Sequence, residues 1–178
     1  MIGVMIAPIE DIKKKLPWEE IKKVALQNGI EPEFLGAIVL TESSGDQWAC
    51  RFEPHYKWLF QVRENAVRNK ITEDTERVLQ MCSYGLCQVM GAVARELGMK
   101  GPMFELLSVG SNLNYACRLI NRLRAKYKTN EDVLAAYNAG SVIKLQNGEY
   151  RNQVYVNKSM SWYRHLKQDP EKKDGKGN

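Results

Sequence analysis

Apolar residues recur every three or four positions along most of this chain, the spacing that places them on one face of a helix. Trp18, Ile21, Val24 and Ala25 follow Pro17 and stop at Gly29, which predicts a first amphipathic helix. Pro32 opens a second, in which Leu35, Ile38, Val39 and Glu42 continue one stripe up to Ser43-Ser44-Gly45. A helix is expected after Pro54 from Leu59, Val62, Arg63 and Ala66, and Thr72 is placed to cap another over 73–81. Beyond the break at Ser83-Tyr84-Gly85, Leu86, Val89, Val93 and Leu97 predict a helix ending at Gly98. Longer periodic runs cover 112–127, the segment from an Asn130 cap to Gly140, and a last helix with Val156, Met160 and Tyr163. No run alternates long enough for a long strand. Short strands fit only 50–52 and 144–151, so the expected fold is mainly α with at most a small β element.

Composition adds bounds. At 178 residues and 44% hydrophobic content the chain suits one globular domain with a real core. Residues 1–168 are expected to form that domain, 46–80 to be a charge-rich insertion and 169–178 a polar, flexible tail. Met1–Pro8 lacks the positive start of a signal peptide, and no run approaches a membrane span. The net charge of +5 suits an anionic partner such as nucleic acid, a membrane surface or a cell-wall polymer. Cys50, Cys82, Cys87 and Cys117 lack zinc spacing, and His55 and His165 stand apart, so no metal or cofactor is expected.

The candidate chemistry centres on Glu42. A carboxylate that continues an apolar stripe is short of water, and it also faces the negative end of its own helix. Both effects disfavour ionisation and suit a general acid. The plain alternative is a glutamate pointing sideways into solvent at a helix end.

Three further stretches accompany it in order: Ser83-Tyr84-Gly85-Leu86-Cys87-Gln88, Ala135-Ala136-Tyr137-Asn138-Ala139-Gly140, and Tyr155-Val156. Together with Glu42 they resemble the soluble lytic transglycosylases, peptidoglycan-cleaving enzymes related in fold to goose-type lysozyme. The resemblance runs from about Pro32 to Tyr163. It implies an α+β lysozyme-like domain with Glu42 as the single acid/base. Ser83, Tyr84, Gly85, Leu86 and Gln88 would line the sugar groove, Tyr137 and Asn138 would face the glutamate, and Tyr155 would lie near its carboxyl. Taken singly, Tyr137 fits a core position, Asn138 a helix end, Gln88 a helix surface, and Tyr155 an ordinary aromatic.

The implied reaction cleaves the MurNAc-β-1,4-GlcNAc bond and leaves 1,6-anhydro-MurNAc ends. Its partner is the peptidoglycan glycan strand, with no cofactor, no nucleic acid, no membrane span and a monomer expected. Cell-wall action without a visible signal peptide implies delivery by phage lysis, a virion or a secretion apparatus. The chain departs from the family pattern in two places. Cys87 stands where methionine is frequent, and the gap between Glu42 and Gln88 is long. Within that gap Glu53 could serve as a second carboxylate and make the enzyme a hydrolysing muramidase; a structural pair with Arg51 is the simpler role. Two more distant classes are an inactive glycan-binding module and a nucleic-acid binder using Arg118, Arg122, Arg124, Lys126 and Lys128.

Overall fold

The computed structural model describes residues 8–168. The expected tail at 169–178 and most of the apolar start, 1–7, lie outside the described residues. Among the described residues are nine α-helices, one 3-10 turn at Met103–Leu107 and one small antiparallel sheet, so the fold is mainly α with a small β element.

The body is built around α3, Pro32–Glu42. The sequence pattern suggests a one-sided stripe, but every residue from Glu33 to Leu40 is buried. A helix apolar on all sides belongs inside, not on a surface. It packs against α9 (Gln153–Lys167) and α2 (Trp18–Gln27), and α7 (Val109–Lys126), which packs on α2, reaches it through Arg124 over the Phe34 ring. Full burial of Phe34, Leu35 and Ile38 is worth roughly 1.5–3 kcal/mol per side chain before the entropic cost of ordering them. Gly36 permits the close approach of α2, since a Cβ there would meet the Trp18 ring at 2.7 Å. Before α2 lies a short helix that periodicity did not signal, α1 at Ile9–Lys14.

Residues 46–80 contribute β1 (Cys50–Phe52), an irregular stretch, and the helices α4 (Val62–Asn69) and α5 (Glu73–Gln80). Leu59 precedes α4 instead of starting it. Thr72 caps α5 as expected, its hydroxyl accepting from the Thr75 N–H at 3.1 Å. The lobe is held by Glu76 and Arg95, both fully buried, which form a two-pronged ion pair at 2.8 and 2.9 Å. Arg95 also donates to the carbonyls of Met99 and Gly101, and Gln80 bonds Glu76 and both backbone groups of Phe60. The pair is thus saturated with hydrogen bonds, as burial of charge requires.

The helix expected from Leu86 begins only at Gly91. The preceding residues form β2 (Cys82–Tyr84), a turn, and β3 (Val89–Met90). Gly85 and Gln88 both adopt left-handed backbone angles, φ +68° and +47°, which a continuous helix cannot contain. Strand order is β1-β2-β3, with Cys50 opposite Tyr84, Phe52 opposite Cys82, and Tyr84 opposite Val89. The helix after Thr129, α8 (Asn130–Ala139), is capped by Thr129, not by Asn130. An isolated bridge pairs Lys144 with Tyr150, matching the second of the two expected β positions.

Candidate active site

Glu42 is the last residue of α3, where the helix must end because Ser44 and Gly45 turn left-handed at φ +57° and +92°. The helix terminus is fixed from two sides. Ser43 donates through Oγ to the Leu86 carbonyl at 2.8 Å, and Lys158 of α9 donates to the Thr41 carbonyl at 3.1 Å.

The Glu42 carboxyl is largely removed from water, and burial pushes its pKa above the usual carboxylate range. Three weaker effects oppose this: a hydrogen bond from the Tyr155 hydroxyl, 2.6 Å from Oε1, and the charges of Arg51 and Lys158. The side chain therefore holds its proton to higher pH than an ordinary carboxyl, yet has one donor ready when the proton leaves. Such a group can act first as acid and then as base.

The carboxyl opens onto a cleft of about 380 Å³. One wall comes from the body: Ser83, Gln88, Met90, Tyr137 and Asn138. The other comes from β1 and the loop after it: Arg51, Glu53, His55, Tyr56 and Trp58. Tyr56 and Trp58 meet edge to face at 5.5 Å, and Trp58 remains 76% exposed. A large exposed aromatic beside polar groups offers a ligand both an apolar face and hydrogen-bond partners.

The residues that sequence reasoning grouped do not all reach this cleft. Ser83, Gln88, Tyr137 and Asn138 do. Tyr84 and Leu86 are buried in the core, with the Tyr84 hydroxyl donating to the Leu79 carbonyl. Gly85 is needed for packing, because a Cβ there would meet Asn112 Nδ2 at 2.6 Å and the Leu106 carbonyl at 2.8 Å. Asn112 in turn ties the turn to α7, donating to the Tyr84 and Leu106 carbonyls and accepting from the Cys87 N–H.

Gln88 is a brace. Its amide donates to the Ala49 and Gly85 carbonyls, and its oxygen accepts from Ser83 Oγ at 2.9 Å. Tyr137 packs beside Glu42, but its hydroxyl donates to the Cys87 carbonyl at 2.9 Å, leaving Tyr155 as the tyrosine that bonds the acid. Tyr155 stands outside the cleft lining, behind the carboxyl. Asn138 accepts from Asn152 at 2.8 Å, which orients it from α9.

Glu53 shares the cleft with Glu42 and is ion-paired with Arg51. His55, Tyr56, Trp58 and Met90 escaped sequence reasoning. The aromatic pair in a polar, aperiodic stretch was the available signal. Among the described residues no group of three or more His, Cys, Asp or Glu is placed to hold a metal. The basic side chains of α7 are spread over different neighbours: Arg118 over Tyr115, Arg122 with Glu96, Arg124 over Phe34 and Lys126 over Tyr127.

With this geometry in place, comparison with known families is decisive. The Transglycosylase SLT domain matches residues 19–159, from the start of α2 into the first half of α9. The chain belongs to this family. The match takes in Glu42, the turn at 85–88, the 135–140 stretch and Tyr155. No curated protein sequence matches the chain. The SLT domain is a peptidoglycan-cleaving domain of the lytic transglycosylase type that acts on the cell wall. No helix among the described residues is long and apolar enough to cross a membrane.

Proposed function

We propose that this SLT domain is an active lytic transglycosylase that cleaves the MurNAc-β-1,4-GlcNAc bond with Glu42 as its only acid/base. The observation that carries the reading is the desolvated Glu42 carboxyl, open to the cleft on one side and hydrogen-bonded by Tyr155 on the other. Protonated Glu42 donates to the glycosidic oxygen as the bond to C1 of the muramyl sugar breaks. The muramyl acetamido group shares the positive charge that develops. Ionised Glu42, supported by Tyr155, then takes the proton from the C6 hydroxyl as that oxygen bonds to C1. The ring closes as a 1,6-anhydro end, the acid is regenerated, and no water is consumed. Positioned proton transfer of this kind supplies about 10²–10⁴-fold; binding along the cleft supplies more.

One observation favours a second reading. Glu53 lines the same cleft and could activate a water, giving a muramidase. Its ion pair with Arg51 weighs against this, because the pairing occupies the carboxylate and holds Arg51 where its charge reaches Glu42. Mass spectrometry of muropeptides released from purified peptidoglycan separates the two. Anhydro ends, lighter by one water than reducing ends, are expected from wild type and from Glu53→Gln; reducing ends lost in Glu53→Gln would establish hydrolysis.

A further inference from the structure

Two of the four cysteines, Cys87 and Cys117, are buried; Cys50 is exposed and Cys82 half-buried, on neighbouring strands. The β1–β2 register sets Cys50 opposite Tyr84 and Phe52 opposite Cys82. Alternate residues share a face of a strand, so Cys50 and Cys82 are diagonal neighbours on one face. Arg51 and Ser83, paired between them, point the other way and line the cleft. Cys50 is near enough to help raise the pKa of the Cys82 thiol, which itself donates to the Val78 carbonyl at 3.4 Å.

Everything between these cysteines is the lobe that builds the second cleft wall: Arg51, Glu53, His55, Tyr56 and Trp58, followed by α4 and α5. The chain leaves the sheet at β1 and re-enters it at β2. We propose that Cys50 and Cys82 are a site of oxidative cross-linking, whose disulfide closes the neck of this lobe and fixes the second wall against the sheet. A bridged pair needs its Cβ atoms about 3.5–4.5 Å apart, closer than diagonal neighbours in a relaxed sheet. Forming the bond therefore requires β1, an edge strand of three exposed residues paired on one side only, to shift toward Cys82. The domain's substrate, the cell wall, lies outside the cytoplasm, in the kind of compartment where disulfides persist.

The chemistry is thiol–disulfide exchange with a small-molecule or protein disulfide as oxidant. The thiolate of exposed Cys50 attacks one sulfur of the oxidant and releases one reduced thiol. Cys82, deprotonated, then attacks the Cys50 sulfur of the mixed disulfide and releases the second thiol. Two cysteine sulfurs are oxidised, the oxidant's two sulfurs are reduced, and both protons leave to the released thiolates. Burial and the neighbouring Cys50 hold the Cys82 thiol above its ordinary pKa, which lowers the fraction present as attacking thiolate.

The test uses the full chain, fully reduced and then incubated with glutathione disulfide. The intact mass is expected to fall by two hydrogens, and a non-reducing peptide map to join Cys50 to Cys82. Closing a loop of this length should raise the thermal midpoint by about 5 °C or more, reversibly with reductant. Cys50→Ser and Cys82→Ser should each melt at the reduced wild-type temperature with or without oxidant. An unchanged mass, a glutathione adduct retained on either cysteine, a bond to another partner, or a cross-link without a rise in midpoint would overturn the proposal.

Discussion

The Tyr155 hydroxyl lies 2.6 Å from Glu42 Oε1, joining residues 113 positions apart in the chain. A phenol donating to a carboxylate stabilises the ionised form, so it opposes the burial that raises the Glu42 pKa. Tyr155→Phe removes the donor and leaves the ring. Glu42 should then hold its proton to higher pH, and the alkaline limb of the kcat/KM profile should move upward. Loss of a hydrogen bond to a charged group costs about 1.5–3 kcal/mol, or about 10–150-fold in rate below that limb. An unmoved limb would detach Tyr155 from the titration of the acid.

Glu42→Gln should abolish activity, by about 10²–10⁴-fold on turbidity of purified cell walls, without harming the fold. Stability should in fact change in the opposite sense near neutral pH. A carboxyl whose folded pKa is raised binds its proton more tightly folded than unfolded. Its contribution is intact below the unfolded value near 4.5 and is lost as pH rises through the folded pKa. The variant should therefore melt above wild type at about pH 7, with the gap closing toward pH 4. Thermal melts across that range check the sign.

Breaking the Glu76–Arg95 pair singly should be severe. Arg95→Met leaves a carboxylate in a site of no solvent access, a loss of about 3–5 kcal/mol in urea unfolding. Replacing both partners with apolar residues of similar size should recover much of that loss. If the single variant is as stable as the double, the pair does not carry the anchorage of the lobe.

Asn112→Ala should cost on the order of 3 kcal/mol, because it strands the Tyr84 and Leu106 carbonyls and the Cys87 N–H in the core. The turn at 85–88 depends on those bonds. Hydrogen exchange of the Cys87 and Gln88 amides should accelerate before that of α3, and uniform protection would place the turn's stability elsewhere.

The periodic parts of this molecule were readable and the aperiodic parts were not. α2, α3, α7, α8 and α9 carry enough turns for their spacing to speak; the short strand expected at 50–52 is present, whereas 144–151 holds a single isolated bridge. α3 was read as one-sided because its stripe ended in Glu42, although an almost unbroken apolar run is what total burial looks like. The helix expected from Leu86 failed because spacing cannot reveal that Gln88 turns left-handed, its side chain holding Ala49, Gly85 and Ser83. At the site, the acid and its neighbours were reachable through short motifs. Those motifs mix cleft residues with structural ones: Tyr84, Gly85 and Leu86 stand beside Ser83 and Gln88 because the turn must be built before it can face anything. The second wall, from His55 to Trp58, has neither period nor helix to mark it.

The Ser43–Leu86 hydrogen bond carries a mechanical consequence. It rivets the end of the acid's helix to the turn that carries Gln88, so the acid and that wall of the cleft travel as one jaw. Under the proposed function, room for a thick, cross-linked polymer would have to come from the opposing wall, where Trp58 is exposed.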